Sequence, residues 1–207
     1  EHVNRTVARR IITIEDPIEY VFEDKQSVIT QREVGRDARS FAAALKHVLR
    51  QDPDMVMVGE MRDLETISSA LTAAETGHLV LATLHTSSAP EAVDRIVDVF
   101  PAGQQAQVRT QLAMSLSGVV AQRLALRADG TGRFPACEVM VGVPAVRNLI
   151  REGKTPQMIS VMQTHKEQGM QTLDQALRDL FRNHIISLDE ALQHTNDPEN
   201  LRRLMGV

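Results

Sequence analysis

At 207 residues, of which 43% are hydrophobic and 24% charged, the chain has the apolar material for a folded core and lies far from a disordered composition. A net charge of −4, 3% aromatic residues and no Trp argue against nucleic acid as a partner, since neither a basic field nor stacking platforms are supplied. The single cysteine, Cys137, excludes an internal disulfide and a Cys-built zinc site and reads as a buried small hydrophobe. No apolar run is long enough to span a membrane and no secretory leader opens the chain, so a cytoplasmic location is expected.

Three short apolar runs, at residues 11–14, 55–58 and 79–83, are apolar on both faces and predict buried parallel strands. Between them lie helical patterns. Residues 40–50 carry Phe41, Leu45, Val48 and Leu49 at helical spacing. Residues 63–76 carry Leu64, Ile67, Leu71 and Ala74, with Asp63 as an adequate N-cap and Gly77 as the stop. Strand, helix, strand, helix, strand predicts a parallel α/β sheet.

Residues 89–98 and 104–118 read as helices, and 123–126 with 134–141 as a hairpin around Asp129-Gly130-Thr131-Gly132. From Val143 onward the pattern is helical only: Val146, Leu149 and Ile150, then Leu173, Ala176, Leu177, Leu180 and Phe181, then a capping box from Ser187 to Glu190. The expected organisation is an α/β core over 1–142 and a helical lobe over 143–207, with no internal repeat.

Open parallel sheets bind ligands beyond the carboxyl ends of their strands. There the sequence is charged: Glu15-Asp16-Pro17-Ile18-Glu19 follows the first run, Gly59-Glu60-Met61-Arg62-Asp63 the second, and Leu84-His85-Thr86-Ser87 the third. Each piece has an ordinary structural reading as a strand end or helix cap, but acids gathered at one edge suit Mg²⁺ or a positioned water. His78 and His85 are seven apart, so on one uninterrupted strand they face opposite ways and cannot share a metal. His78, at the strand entrance, has a structural reading; His85, at the exit, is the functional candidate. The phosphate-binding pattern G-x-x-x-x-G-K-[ST] is not in the sequence. Gly153-Lys154-Thr155 has its ending only, with Asn148 where the first Gly belongs, and reads as a turn between helices.

Three strings, ITIEDPIEY at 12–20, LRQDPDMVMVGEMRD at 49–63 and TGHLVLATLHTSSA at 76–89, resemble in order the Asp box, Walker B signature and His box of the type II secretion and type IV pilus ATPase superfamily. The resemblance covers essentially the whole chain. AVRNLIRE at 145–152 is similar to the AIRNLIRE element of the retraction ATPases, and a lone cysteine cannot build the four-cysteine zinc element usual in extension and secretion relatives. The ordinary reading of 145–152 is an amphipathic helix, with Arg147 and Arg151 on a solvated face open to a partner.

The resemblance implies a RecA-like parallel-sheet core lacking its first strand and P-loop, which are expected just upstream of Glu1, followed by the helical lobe. It implies ATP and Mg²⁺ as cofactors. Glu19 would position or deprotonate the attacking water, Glu60 would support Mg²⁺ through water, and His85 would sense the γ-phosphate. Asp16, His78 and Arg62 would contact the nucleotide. It further implies a homohexameric ring at the cytoplasmic face of the inner membrane, acting on a pilus platform protein in twitching motility. Alternatives are a non-hydrolysing ring or interaction module without a P-loop, or another secretion-machine ATPase of the same superfamily.

Overall fold

A computed structural model describes residues 1–206; Val207, the last residue of the expected lobe, lies outside them. The chain separates into two units, 1–85 with 99–104, and 86–98 with 105–207. In chain order the elements are α1 His2–Thr6, β1 Arg10–Glu15, β2 Val28–Glu33, α2 Phe41–Val48, β3 Met55–Val58, α3 Leu64–Glu75, β4 Leu79–Ala82, α4 Ala89–Asp98, α5 Ala102–Ser115, β5 Gly118–Leu126, β6 Arg133–Val141, α6 Pro144–Glu152, α7 Met158–Thr164, α8 Leu173–Arg182, α9 Leu188–His194 and α10 Pro198–Met205.

The first unit is a four-stranded parallel sheet in the order β2-β1-β3-β4. β1 is the most deeply covered strand: Ile12 and Ile14 are fully buried, packing with Val56, Val58, Ala44, Leu45, Val48 and Ala70. The expected helices form where the apolar spacing puts them, and α3 starts on Asp63, whose carboxylate accepts the Thr66 N–H at 2.9 Å. Two expectations change. β2 was not visible as an apolar run, because Val28–Glu33 reads VITQRE and lies half-buried at a sheet edge. The run at 79–83 predicted a strand covered on both faces, yet β4 is the opposite edge, with Leu79 46% and Leu81 47% exposed.

The second unit is built on the antiparallel β5–β6 hairpin, in register from Gly118 opposite Val141 to Leu126 opposite Arg133. Ala125 and Ala136 on one hairpin face pack with Leu173, Leu177, Ile186, Ala191, Leu201 and Met205. The hairpin therefore groups with the carboxyl-terminal helices rather than with the sheet, which differs from the expected boundary at 142. The helix expected over 104–118 ends at Ser115 and the strand begins at Gly118. Gly142 makes this turn possible: a Cβ there would lie 2.1 Å from the Leu116 carbonyl oxygen. Cys137 is half-buried rather than buried, because it stands opposite exposed Gln122 on the open face of the hairpin.

Carboxylates hold this unit together. Ser187 caps α9 as expected, but Glu190 does not complete the box: its Oε1 accepts the Leu126 N–H at 2.6 Å and lies 3.0 Å from His194 Nε2. The full capping box is instead at Thr172 and Gln175. Glu138 on β6, 7% exposed, ties two helix starts, with Oε1 accepting the Ala89 N–H at 2.6 Å and Oε2 the Leu173 N–H at 3.3 Å. Glu138→Ala leaves both buried donors without an acceptor and should lower the unfolding free energy by about 2–4 kcal/mol. Urea unfolding of the 207-residue chain measures this, and an unchanged midpoint would show that the two helix starts do not depend on Glu138.

Candidate functional site

Since β1, β3 and β4 run parallel, Glu15, Gly59 and Thr83 bring their carboxyl ends to one edge. Gly59 lets the end of β3 press against β1: its N–H donates to the Ile14 carbonyl at 2.7 Å, and a Cβ would stand 3.0 Å from that same oxygen. On the other side Thr83 Oγ1 donates to the Gly59 carbonyl, while the Met61 N–H donates to Thr83 O at 3.1 Å. Glu60 is held between these bonds.

Glu60 Oε1 accepts a hydrogen bond from Arg62 Nε and lies 2.8 Å from His85 Nε2. Its side chain is 17% exposed, against 74% for Arg62 and 77% for His85. A largely shielded carboxylate thus has a guanidinium and an imidazole, both solvent-facing, on one oxygen, and among the described residues Oε2 has no partner. The Arg62 hydrogen bond, aided by the charges of Arg62 and His85, holds the Glu60 carboxyl below its ordinary value of 4.5 despite desolvation. Hydrogen bonding and charge from Glu60 in turn raise Arg62, with a further contribution from the charge of Asp16. Asp16, Glu60, Arg62 and His85 are therefore one electrostatic group.

Glu19 lies at the same edge, on the loop that leaves β1. Its neighbour Ile18 donates its N–H to Oε2 of Glu33, the last residue of β2, at 3.1 Å. Glu19 is exposed and makes no hydrogen bond or ion pair among the described residues. His78 does not join the group. It precedes β4 at the opposite edge, with Nδ1 3.0 Å from the Ala73 carbonyl and 3.1 Å from Thr76 Oγ1, closing the end of α3.

Gln31 has no signal in a strand pattern, and Glu15, charged at the strand end, meets its partners only in the fold. Glu15 is 8% exposed, and its Oε1 accepts from Thr13 Oγ1 at 2.5 Å and from Gln31 Nε2 at 2.9 Å. Only the parallel pairing of β1 with β2 brings Gln31 there. Asp63 has its structural reading, receiving both the N–H and the hydroxyl of Thr66, at 2.9 and 2.7 Å. Arg147 also departs from expectation. It is half-buried, donating from Nε to Gly142 O at 2.6 Å and from Nη1 to Met114 O at 3.3 Å. Of the two arginines on α6, only Arg151 is exposed, bonded to Asn148.

Among the described residues no cluster of three or more His, Cys, Asp or Glu could hold a metal ion, and no helix is long and apolar enough to cross a membrane.

Comparison with known proteins gives a consistent result. Residues 1–193 match the family model of type II/IV secretion system proteins. The type IV pilus retractation ATPase PilT of Pseudomonas aeruginosa is 53% identical over 97% of this chain and 58% of its own length. A twitching motility protein of Neisseria gonorrhoeae is 52% identical over 97% of this chain and 54% of its own length. The crystal structure of the pilus retraction motor PilT with bound ADP superposes with a TM-score of 0.90 at 50% identity, covering 98% of this chain and 57% of that one. The Legionella pneumophila ATPase DotB gives a TM-score of 0.83 at 31% identity, over 93% of this chain and 53% of that one. This chain thus spans little more than half the length of these four relatives.

The Glu60 carboxyl should titrate below 4.5, its charge being lost only as the pH falls through that lowered value. Arg62→Ala should move the midpoint back up, as read by carboxyl-carbon NMR of the labelled chain. An unmoved midpoint would mean that Arg62 does not hold the carboxylate in its ionised form.

Proposed function

The chain belongs to the type II/IV secretion system protein family, and from that membership we propose that it serves as the motor part of an ATPase that retracts type IV pili. The observation that carries the reading is the Asp16, Glu60, Arg62 and His85 group at the carboxyl edge of a parallel sheet. The 53% identity to a pilus retractation ATPase supports it. On this reading the working form is a hexameric ring at the cytoplasmic face of the inner membrane. There, ATP hydrolysis drives pilus disassembly through a platform protein, and so twitching motility.

The residues fit Mg-ATP in a specific way. Mg²⁺ keeps several waters and takes one or two carboxylates beside the nucleotide's phosphates, so a site without a cluster of three protein ligands suits it. When bound, Mg-ATP supplies the phosphoanhydride and the cation that offsets its charge. Glu60, held in its ionised form and with Oε2 free, would support Mg²⁺ through water while Oε1 stays tied to Arg62 and His85. Glu19, exposed and unpaired, orients the attacking water or accepts its proton. His85 would sense the terminal phosphate, and Asp16 and Arg62 would set the charge around it. His78 is bonded to the end of α3 and stands apart from this group.

Phosphate oxygens need a row of N–H donors. The first turn of α3 is already occupied by the Asp63 carboxylate, and the sequence holds no G-x-x-x-x-G-K-[ST]. These 207 residues supply no phosphate grip of that form, and a non-hydrolysing module is the second reading. Calorimetric titration of the 207-residue chain with Mg-ATP should give weak or no binding; micromolar affinity would contradict this. In a form that includes a phosphate loop, Glu60→Gln should lower turnover by about 10²-fold or more while nucleotide binding stays within about threefold. An unchanged hydrolysis rate would leave Glu60 as a strand-end residue only.

A further inference from the structure

Glu19 makes no bond of its own, but the backbone on both sides of it is held by side chains of β2. Glu33 Oε2 accepts the Ile18 N–H at 3.1 Å. Gln31 Nε2 donates to the Tyr20 carbonyl at 2.9 Å, and its Oε1 accepts the Phe22 N–H at 2.9 Å. The second Nε2 proton goes to Glu15 Oε1 at 2.9 Å, a carboxylate that also receives the Thr13 hydroxyl at 2.5 Å. Chemistry decides the orientation of this carboxamide. Its nitrogen faces two acceptors and its oxygen faces one donor, so the flipped amide would break three bonds at once.

We propose that Gln31 is a positioning residue for Glu19, anchored on Glu15 and assisted by Glu33. The inference rests on the reading of Glu19 as the group that prepares the attacking water. A base must stand within hydrogen-bond reach of its water, and a displacement of about 1 Å can lower a rate by about 10²-fold. An exposed carboxylate with no partner is restrained only by where its own backbone is held. Gln31 supplies that restraint from a paired strand, and neither an aliphatic nor an acidic side chain could replace it. Leucine cannot bond, and a carboxylate would face both the Glu15 carboxylate and the Tyr20 carbonyl.

The test is a double-mutant cycle on ATP turnover in a form that includes a phosphate loop, using Gln31→Leu, Gln31→Glu, Glu19→Gln and the two doubles. Each Gln31 variant should lower kcat by about 10- to 100-fold with KM for ATP within about twofold, and should add less than about twofold to the loss in Glu19→Gln. In the 207-residue chain, amide exchange at Phe22 should accelerate by about tenfold or more in Gln31→Leu, while amides of β1 stay protected. Unchanged kcat, unchanged Phe22 exchange, or losses that multiply with Glu19→Gln would each overturn the proposal. Should Gln31→Leu not fold, the kcat of Gln31→Glu decides, because that variant keeps size and polarity. Normal turnover of Glu19→Gln alone would overturn the functional reading of Glu19, and this inference with it. A loss in Glu19→Gln with none in the Gln31 variants would overturn this inference only.

Discussion

Parallel pairing of β1 with β2 on one side and β3 on the other is the constraint from which the candidate site follows. Parallel strands must all end at the same edge, and every return to the opposite edge needs a crossover, usually a helix. Two crossovers in the first unit are helical, through α2 and α3. The one from β1 to β2 is a loop over residues 16–27. A loop has no internal ladder for its N–H and C=O groups, so these must find other partners.

Side chains provide them. Besides Gln31 and Glu33, Asn4 is fully buried, donating to Glu23 O at 2.8 Å and accepting the Lys25 N–H at 3.0 Å. Asp24 accepts the Ile29 N–H at 2.8 Å, tying the loop to β2. The segment that carries Asp16 and Glu19 is therefore an ordered path held by four side chains rather than a slack connection. Its acids can stand exposed at the sheet edge because the backbone beneath them is satisfied elsewhere.

The same rule organises the second unit. Helix starts and strand ends leave orphan donors and acceptors, and charged side chains meet them: Glu138 at α4 and α8, Glu190 at the end of β5, Arg147 at the carbonyls of Met114 and Gly142. Charges used in this way are not free for partners. This is why Arg147, which helical spacing assigns to a solvated face, is a structural brace, whereas Arg151 one turn later remains exposed.

Local patterns in the sequence determined the parallel α/β class, the strands β1, β3 and β4, the helices between them, the Asp63 cap and the family resemblance carried by three strings. These rest on apolar periodicity, capping chemistry and motif order, which act over a few residues. Tertiary structure decided the rest. β2 has no apolar run, since an edge strand buries little, and it exists because β1 offers it a ladder. β4 has a core-like sequence but lies at an edge, because burial depends on what covers a strand and not on its own composition. The string already set His78 at the entrance and His85 at the exit of the third apolar run, but only the fold shows their partners, the end of α3 for His78 and Glu60 for His85. Gln31 came into view only through register, because hydrogen bonds between residues far apart in the chain leave no trace in the spacing of either.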